Sequence, residues 1–132
     1  MKWLARFSTL LLSLLLACGG HSPTDPLDSQ ARGRLDGVVT IGPNCPGPQD
    51  CPTQPSEYAL RKILVYNADR TQLVVTVDID SQGLYAADLI PATYVVDLKG
   101  TGADRTSDLP KTVDIHAHVT TTLNVNIDTG LR

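Results

Sequence analysis

The chain has 132 residues, a net charge of −3 and three cysteines. Such a length holds one small domain and excludes a multi-domain enzyme within these residues. Eleven Lys and Arg against fourteen Asp and Glu also exclude the dominant basic surface of a usual nucleic-acid binder.

Met1–Arg6 carries Lys2 and Arg6, and the next eleven residues, Phe7–Ala17, are uncharged and dominated by leucine. Eleven residues are too few to span a bilayer, which takes about 20; a basic start followed by a short apolar run is the pattern of a secretory leader. An ordinary cleavage site wants small residues at −3 and −1, but Leu15 stands three residues before Cys18. The order Leu15-Leu16-Ala17-Cys18 resembles the lipobox of bacterial lipoproteins. That resemblance implies a leader over residues 1–17, removed to leave Cys18 acylated at its sulfur and amine. Two or three acyl chains anchor stably where one is marginal. The shortened chain would hold 115 residues with nine basic and fourteen acidic side chains, and tyrosine as its sole aromatic type. Residues 18–33 contain two prolines, three glycines and His21 with no apolar period, the composition of a flexible tether. Gly19 after the cysteine is not the aspartate that signals inner-membrane retention, which favours an outer membrane where there is one, the other location being the outer face of the cytoplasmic membrane.

With Cys18 lipidated, Cys45 and Cys51 form an even pair in an exported chain. They bracket a Pro/Gly-rich segment, Cys45-Pro46-Gly47-Pro48-Gln49-Asp50-Cys51. Redox pairs usually space their thiols by two residues, and neither a second Cys pair nor a nearby His completes a zinc set. A structural disulfide is the expectation, stabilising by about 2 kcal/mol for so small a loop.

From Arg34 short β-rich runs alternate with turns. They are Arg34–Ile41, Lys62–Asn67, Gln72–Asp78, Leu84–Leu89, Thr93–Leu98, Lys111–Ala117 and Thr121–Ile127. Val113, Ile115 and Ala117 alternate with Thr112, Asp114 and His116; Leu123, Val125 and Ile127 alternate with Thr122, Asn124 and Asn126. This is the half-buried antiparallel signature. Helix is expected to be minor, because no stretch sustains a 3.6 period. Seven strands with regular turns predict an all-β, seven-stranded antiparallel sandwich of two sheets over residues 34–132, transthyretin-like or Ig-like.

Two turn segments carry a more specific likeness. Asp78-Ile79-Asp80-Ser81-Gln82-Gly83-Leu84-Tyr85 and Leu89-Ile90-Pro91-Ala92-Thr93-Tyr94-Val95-Val96 resemble the strand-turn-strand motifs of the carboxypeptidase regulatory-like domain, a transthyretin-like (prealbumin-type) β-sandwich of exported bacterial proteins. The likeness spans about residues 34–132. It departs at Ala92, where a turn glycine is usual, and at His118-Val119, where Ala-Gly is common in the final hairpin. The resemblance implies a fold and little chemistry. The peptidase domain that accompanies this module elsewhere is missing from these residues, and the Tyr-Arg-Gly-Ser end of the hydroxyisourate-hydrolysing relatives is replaced by Asp-Thr-Gly-Leu-Arg. Fold alone does not imply function.

Among candidate chemistry, a period of two places Asp114, His116 and His118 on one strand face, about 7 Å between alternate residues. Two imidazoles and a carboxylate suit zinc or copper; the plainer reading is a solvated face running into a hairpin. Asp78, Asp80 and Gly83 match the opening of an EF-hand loop, but position 12 falls on Leu89 where a bidentate Glu is needed, so an acid-rich hairpin turn explains them better. No Gly-x-Ser-x-Gly is present. The longest unpatterned stretch after the Cys–Pro loop is Lys99–Pro110, which with Asp97 gathers Asp104, Asp108, Lys99 and Arg105, and loops carry binding residues more often than strands do. Tyr58 is a candidate exposed aromatic contact, whereas Tyr66, Tyr85 and Tyr94 read as partly buried strand residues.

The sequence therefore predicts a non-catalytic, lipid-anchored protein of the bacterial cell envelope, without a cofactor. Its partners would be membrane lipid through Cys18 and an envelope protein or polysaccharide, met by a free sheet edge or by loops 42–58 and 99–110. The alternative is a small metal-binding protein or metal-dependent enzyme built on Asp114, His116 and His118.

Overall fold

A computed structural model describes residues 31–132. The leader, Cys18 and nearly all of the expected tether lie outside the described residues. Eight strands and one short helix follow in order: β1 (Gly33–Gly42), α1 (Pro55–Ala59), β2 (Lys62–Asn67), β3 (Leu73–Asp78), β4 (Leu84–Leu89), β5 (Ala92–Lys99), β6 (Lys111–Ile115), β7 (Thr120–Thr122) and β8 (Val125–Asp128). They form two sheets, one ordered β3-β2-β5-β6, the other with β1 between β4 on one side and β7 and β8 on the other. The two-sheet β-sandwich expected from the strand pattern is the observed architecture.

Alternation decides which side chains meet between the sheets. In β1, Leu35, Val39 and Ile41 are buried while Arg34, Val38 and Thr40 are exposed. Ile63 and Val65 of β2, Val77 of β3, Tyr85 and Leu89 of β4, Tyr94 and Val96 of β5, Val113 and Ile115 of β6, and Val125 and Ile127 of β8 complete the layer. Each fully buried aliphatic side chain contributes about 1.5–3 kcal/mol by leaving water, so this shared layer holds two sheets that exchange no strand.

Two expectations are corrected. The run Thr121–Ile127 is not one strand, and it is not antiparallel to its neighbour. β7 and β8 both run parallel to β1, in one register, Arg34 to Asp36 opposite Thr120 to Thr122 and Val39 to Gly42 opposite Val125 to Asp128. Alternation reports only that one face is buried, which a parallel strand shares. The interruption falls at Leu123 and Asn124 and has a local cause. The Leu123 carbonyl accepts the Tyr85 hydroxyl at 2.5 Å, and the Asn124 side-chain oxygen takes the Val38 N–H at 3.0 Å in place of a ladder bond. Gly37 lies beneath this break. A Cβ there would fall 2.0 Å from the Leu123 carbonyl oxygen and 2.8 Å from the Tyr85 ring, so only glycine lets the strands close. Burial pushes the Tyr85 hydroxyl far above its usual pKa, with the Asp36 charge adding to the shift. It therefore stays a proton donor to Leu123 across the working pH range.

The connection between β6 and β7 is also not a hairpin. β6 belongs to one sheet and β7 to the other, so His116–Val119 carries the chain across the sandwich. His118 turns this corner at φ 61°, the left-handed region where glycine is favoured, with its N–H donated to the Arg32 carbonyl at 2.9 Å. Ala92 opens β5 without positive φ, so the glycine usual at that turn is not required.

Chemical denaturation tests the joint at Gly37. Gly37→Ala is expected to cost about 3 kcal/mol because backbone must move to admit the methyl. Tyr85→Phe should cost about 1–3 kcal/mol by leaving the Leu123 carbonyl unpaired. Near-additive losses in the double variant would show the two contacts to be independent, contrary to this packing.

Candidate functional site at the loop end

β1 spans about 30 Å from Gly33 to Gly42, and it polarises the domain. At its first residue lie the β4–β5 turn and the His116–Val119 corner, with Gly33 opposite Leu89 and the Arg34 N–H on the Val119 carbonyl. At its last residue lie the Cys–Pro loop and the chain's final residues, with Thr129 N–H on the Gly42 carbonyl. Both loops singled out in the sequence, 42–58 and 99–110, meet at this second end. They border a cleft of about 540 Å³ whose lining includes Pro43, Pro52, Glu57, Thr101, Thr129 and Leu131.

The cleft is built on a buried charge. Arg61, directly before β2, is 3% exposed. Its Nε and Nη2 donate to the two Asp104 carboxylate oxygens at 2.7 and 2.9 Å, and its Nη1 donates to the Glu57 carbonyl at 2.7 Å and carboxylate at 2.9 Å. Asp104, 4% exposed at its side chain, also accepts the Thr101 N–H at 2.8 Å. One guanidinium thus joins α1, which carries Glu57, to the 99–110 loop. Such bidentate geometry is what an arginine offers and a lysine does not. Burial raises the pKa of the Asp104 carboxyl, but the Arg61 hydrogen bonds and charge with the Thr101 donors outweigh it and hold the group below its ordinary value. The Arg61 guanidinium is held above its own, chiefly by its bond to Asp104 and against the effect of burial.

Several further contacts fasten the loops. Cys45 and Cys51 are disulfide-bonded with Cα atoms 5.9 Å apart. The Asn44 amide nitrogen lies 3.0 Å from each of the Ile41 and Cys51 carbonyls and the Thr53 hydroxyl, closing the loop at its neck. Arg105 and Asp128 exchange backbone bonds of 2.8 and 2.7 Å, and Asp108 accepts the Asn126 N–H at 2.7 Å. The stretch that looked unpatterned is therefore pinned to β8 and to Arg61. Its carboxylates are engaged within the chain, Asp104 by Arg61 and Asp108 by the backbone, and the neighbouring Asp97 pairs with Arg70. Hydroxyls, peptide groups and proline rings face the cleft beside the partly exposed Glu57 carboxylate. That surface suits hydrogen bonding and apolar contact with a ligand.

Other predicted site residues separate. Asp114 sits in β6 bonded to the Thr93 hydroxyl at 2.6 Å, whereas His118 lies beyond the strand in the left-handed corner. The face expected to carry Asp114, His116 and His118 together is therefore not formed, because the chain leaves the strand after Ile115. No three His, Cys, Asp or Glu side chains among the described residues are placed to hold a metal ion. Asp78 pairs with Lys62, and Asp80 Oδ1 accepts the Gln82 and Leu84 N–H groups at 2.8 and 2.9 Å. Asp80 thus builds a turn, though one that passes between sheets and not the hairpin expected. Tyr58 is half-buried against the core, near where a Gly83 Cβ would lie, and does not stand out as an exposed aromatic. Tyr85 and Tyr94 are buried, and Tyr66 is half-buried beneath the Arg70 guanidinium. Sequence reasoning missed Arg61. Its one local signal was Glu57 four residues earlier, a common surface spacing, and its main partner lies 43 residues on.

No protein-family model matches the chain, and no curated protein sequence matches it. Among solved structures, the minor pilin GBS52 of Streptococcus agalactiae is similar over 75% of this chain and 45% of its own, with a TM-score of 0.53 and 15% identity. A DUF3823 family protein from Parabacteroides merdae is similar over 74% of this chain and 46% of its own, with a TM-score of 0.45 and 17% identity. The chain thus spans less than half the length of either structure. At these identities the pilin likeness concerns the fold alone. It defines the class: a β-sandwich. No helix among the described residues is long and apolar enough to cross a membrane.

Asp104→Ala would strand a buried guanidinium with Glu57 alone and is expected to cost about 3 kcal/mol. Arg61→Met with Asp104→Leu should cost less than that single change, as read by urea melts. The pH dependence has a definite sign. The Asp104 pKa is lower in the folded chain, so its stabilisation is fully present above the ordinary 3.8 and is lost as pH falls below it. Wild type should lose stability more steeply than Asp104→Asn below that pH. Equal slopes would assign acid lability elsewhere.

Proposed function

We propose that the chain is a non-catalytic, lipid-anchored bacterial envelope protein whose β-sandwich binds or supports an envelope protein or polysaccharide through its loop end. The supporting observation is the polarity of β1. Residues 18–33 lead into the strand at one end, and the disulfide-closed cleft lies at the other, about 30 Å away. A domain held by acyl chains on Cys18 would then present this cleft away from the bilayer. Rigidity supports the same reading: a preorganised polar cleft spends little entropy on ordering itself when it binds. The sandwich is read as one of the carboxypeptidase regulatory-like, transthyretin type, on the turn motifs at 78–85 and 89–96. Lys99–Pro110 and the Cys–Pro loop are the surfaces assigned to the partner.

Two experiments on the full chain in intact cells test this. Cys18→Ser should move the protein from the membrane fraction to the soluble one; retention on the membrane would refute the anchor. A photo-crosslinking residue at Pro52 or Thr101 should give a dominant protein or glycan adduct, while one at Ile90 should give much less. Equal labelling from both ends would remove the loop cleft from the proposal.

A further inference from the structure

We infer that the loop-end cleft takes an uncharged polysaccharide, one of whose hydroxyls bridges Arg61 and Glu57. The inference rests on the loop-end reading above and narrows its partner to one chemical class.

It begins from the donors of Arg61. A guanidinium carries five N–H groups in one plane. Four are bonded: Nε–H and one Nη2 proton to Asp104, and both Nη1 protons to Glu57. The second Nη2 proton has no acceptor among the described residues. Planarity fixes its direction. Nε–H and the Nη2 proton on the same side converge on the Asp104 carboxylate, so the remaining one leaves the far end of the group, alongside an Nη1 proton that Glu57 accepts. At 3% exposure the guanidinium meets little water, and the cleft it borders is where an acceptor can approach. A buried donor left unpaired is costly, which makes this proton a point of attachment.

Glu57 supplies the matching half. Its Oε2 accepts Arg61 at 2.9 Å, while its Oε1 accepts no hydrogen bond among the described residues, and the side chain is 41% exposed. One corner of the cleft thus offers an unused donor and an unused acceptor. Charge narrows what can satisfy both. Two carboxylates share one guanidinium here, so an anion meets net negative charge, and a cation leaves the Arg61 proton unanswered. A neutral group that both accepts and donates is required. A hydroxyl does this at a single oxygen. A trans peptide group does not, because its C=O and N–H point to opposite sides. The rest of the cleft agrees with sugar rings: Pro43, Pro52 and Leu131 offer aliphatic surface for their C–H faces, and the exposed Gln54 amide is free of hydrogen bonds among the described residues. Its volume, about 540 Å³, is that of a small-ligand site. It accommodates a short run of a glycan and not the broad face, about 800 Å², that a folded protein covers.

The test uses the full chain in intact cells, with a photo-crosslinking residue at Pro52. Mass spectrometry of the crosslinked peptide should find an added mass of neutral sugar residues. Added amino acids, or sugars bearing carboxylate, phosphate or sulfate at the point of attachment, would overturn the inference and leave the loop-end reading standing. An adduct no stronger than that from Ile90 would overturn both. Glu57→Gln keeps an acceptor for Arg61 but turns amide protons toward the cleft, and it should lower the yield several-fold at an unchanged melting temperature. Unchanged yield from that folded variant would overturn the bridge. Gln54→Lys and Gln54→Glu change the charge at an exposed position and should give similar yields. Several-fold changes in opposite directions would mean a charged ligand and refute the inference even if Glu57→Gln fails to fold.

Discussion

A guanidinium at 3% exposure cannot stand alone in a protein interior, and the arrangement of the loop end follows from that constraint. Arg61 needs acceptors for its donors, and Glu57 and Asp104 supply them from two segments far apart in the sequence. The short helix is placed by one pair and the 99–110 loop by the other. The disulfide then limits how far the preceding loop can wander. A buried ion pair is seldom a source of large net stability, since desolvation offsets its attraction. Its effect here is to select one arrangement of loops that apolar packing alone would leave open.

The same logic of obligatory satisfaction shapes the middle of the domain. Where β7 gives way to β8 the ladder lapses, and Tyr85 and Asn124 take over the interrupted bonds. The register survives on both sides of the gap because Gly37 leaves room for that substitution. A strand-edge defect thus becomes a fixed joint between the two halves of one parallel pairing, and β1 can run unbroken from one end of the molecule to the other. That continuity separates the corner near Arg32 from the cleft near Pro43.

The strands were largely legible in the sequence because period-two burial is written into each of them. β1 to β6 fall within a few residues of the expected spans, and Cys45–Cys51 pair as their parity suggested. The candidate site was legible only in part. Both loops could be named, but their meeting could not, since it depends on Arg61 reaching across 43 residues. The His116–His118 face was misjudged for a comparable reason. Alternation continues through Ala117, yet the backbone leaves the strand after Ile115 to cross between sheets.

The sequence by itself determined where the chain extends and turns, which side chains could share a buried face, and the acidic balance that argues against nucleic-acid binding. Those properties are local or compositional, so neighbouring residues suffice to specify them. Only the tertiary structure decided that β7 and β8 run parallel to β1, that the turns after β3, β4 and β6 pass between sheets, and that Arg61 is buried. Each depends on which partner a face or edge meets, and a pattern of alternating residues records that a face is covered without recording by what.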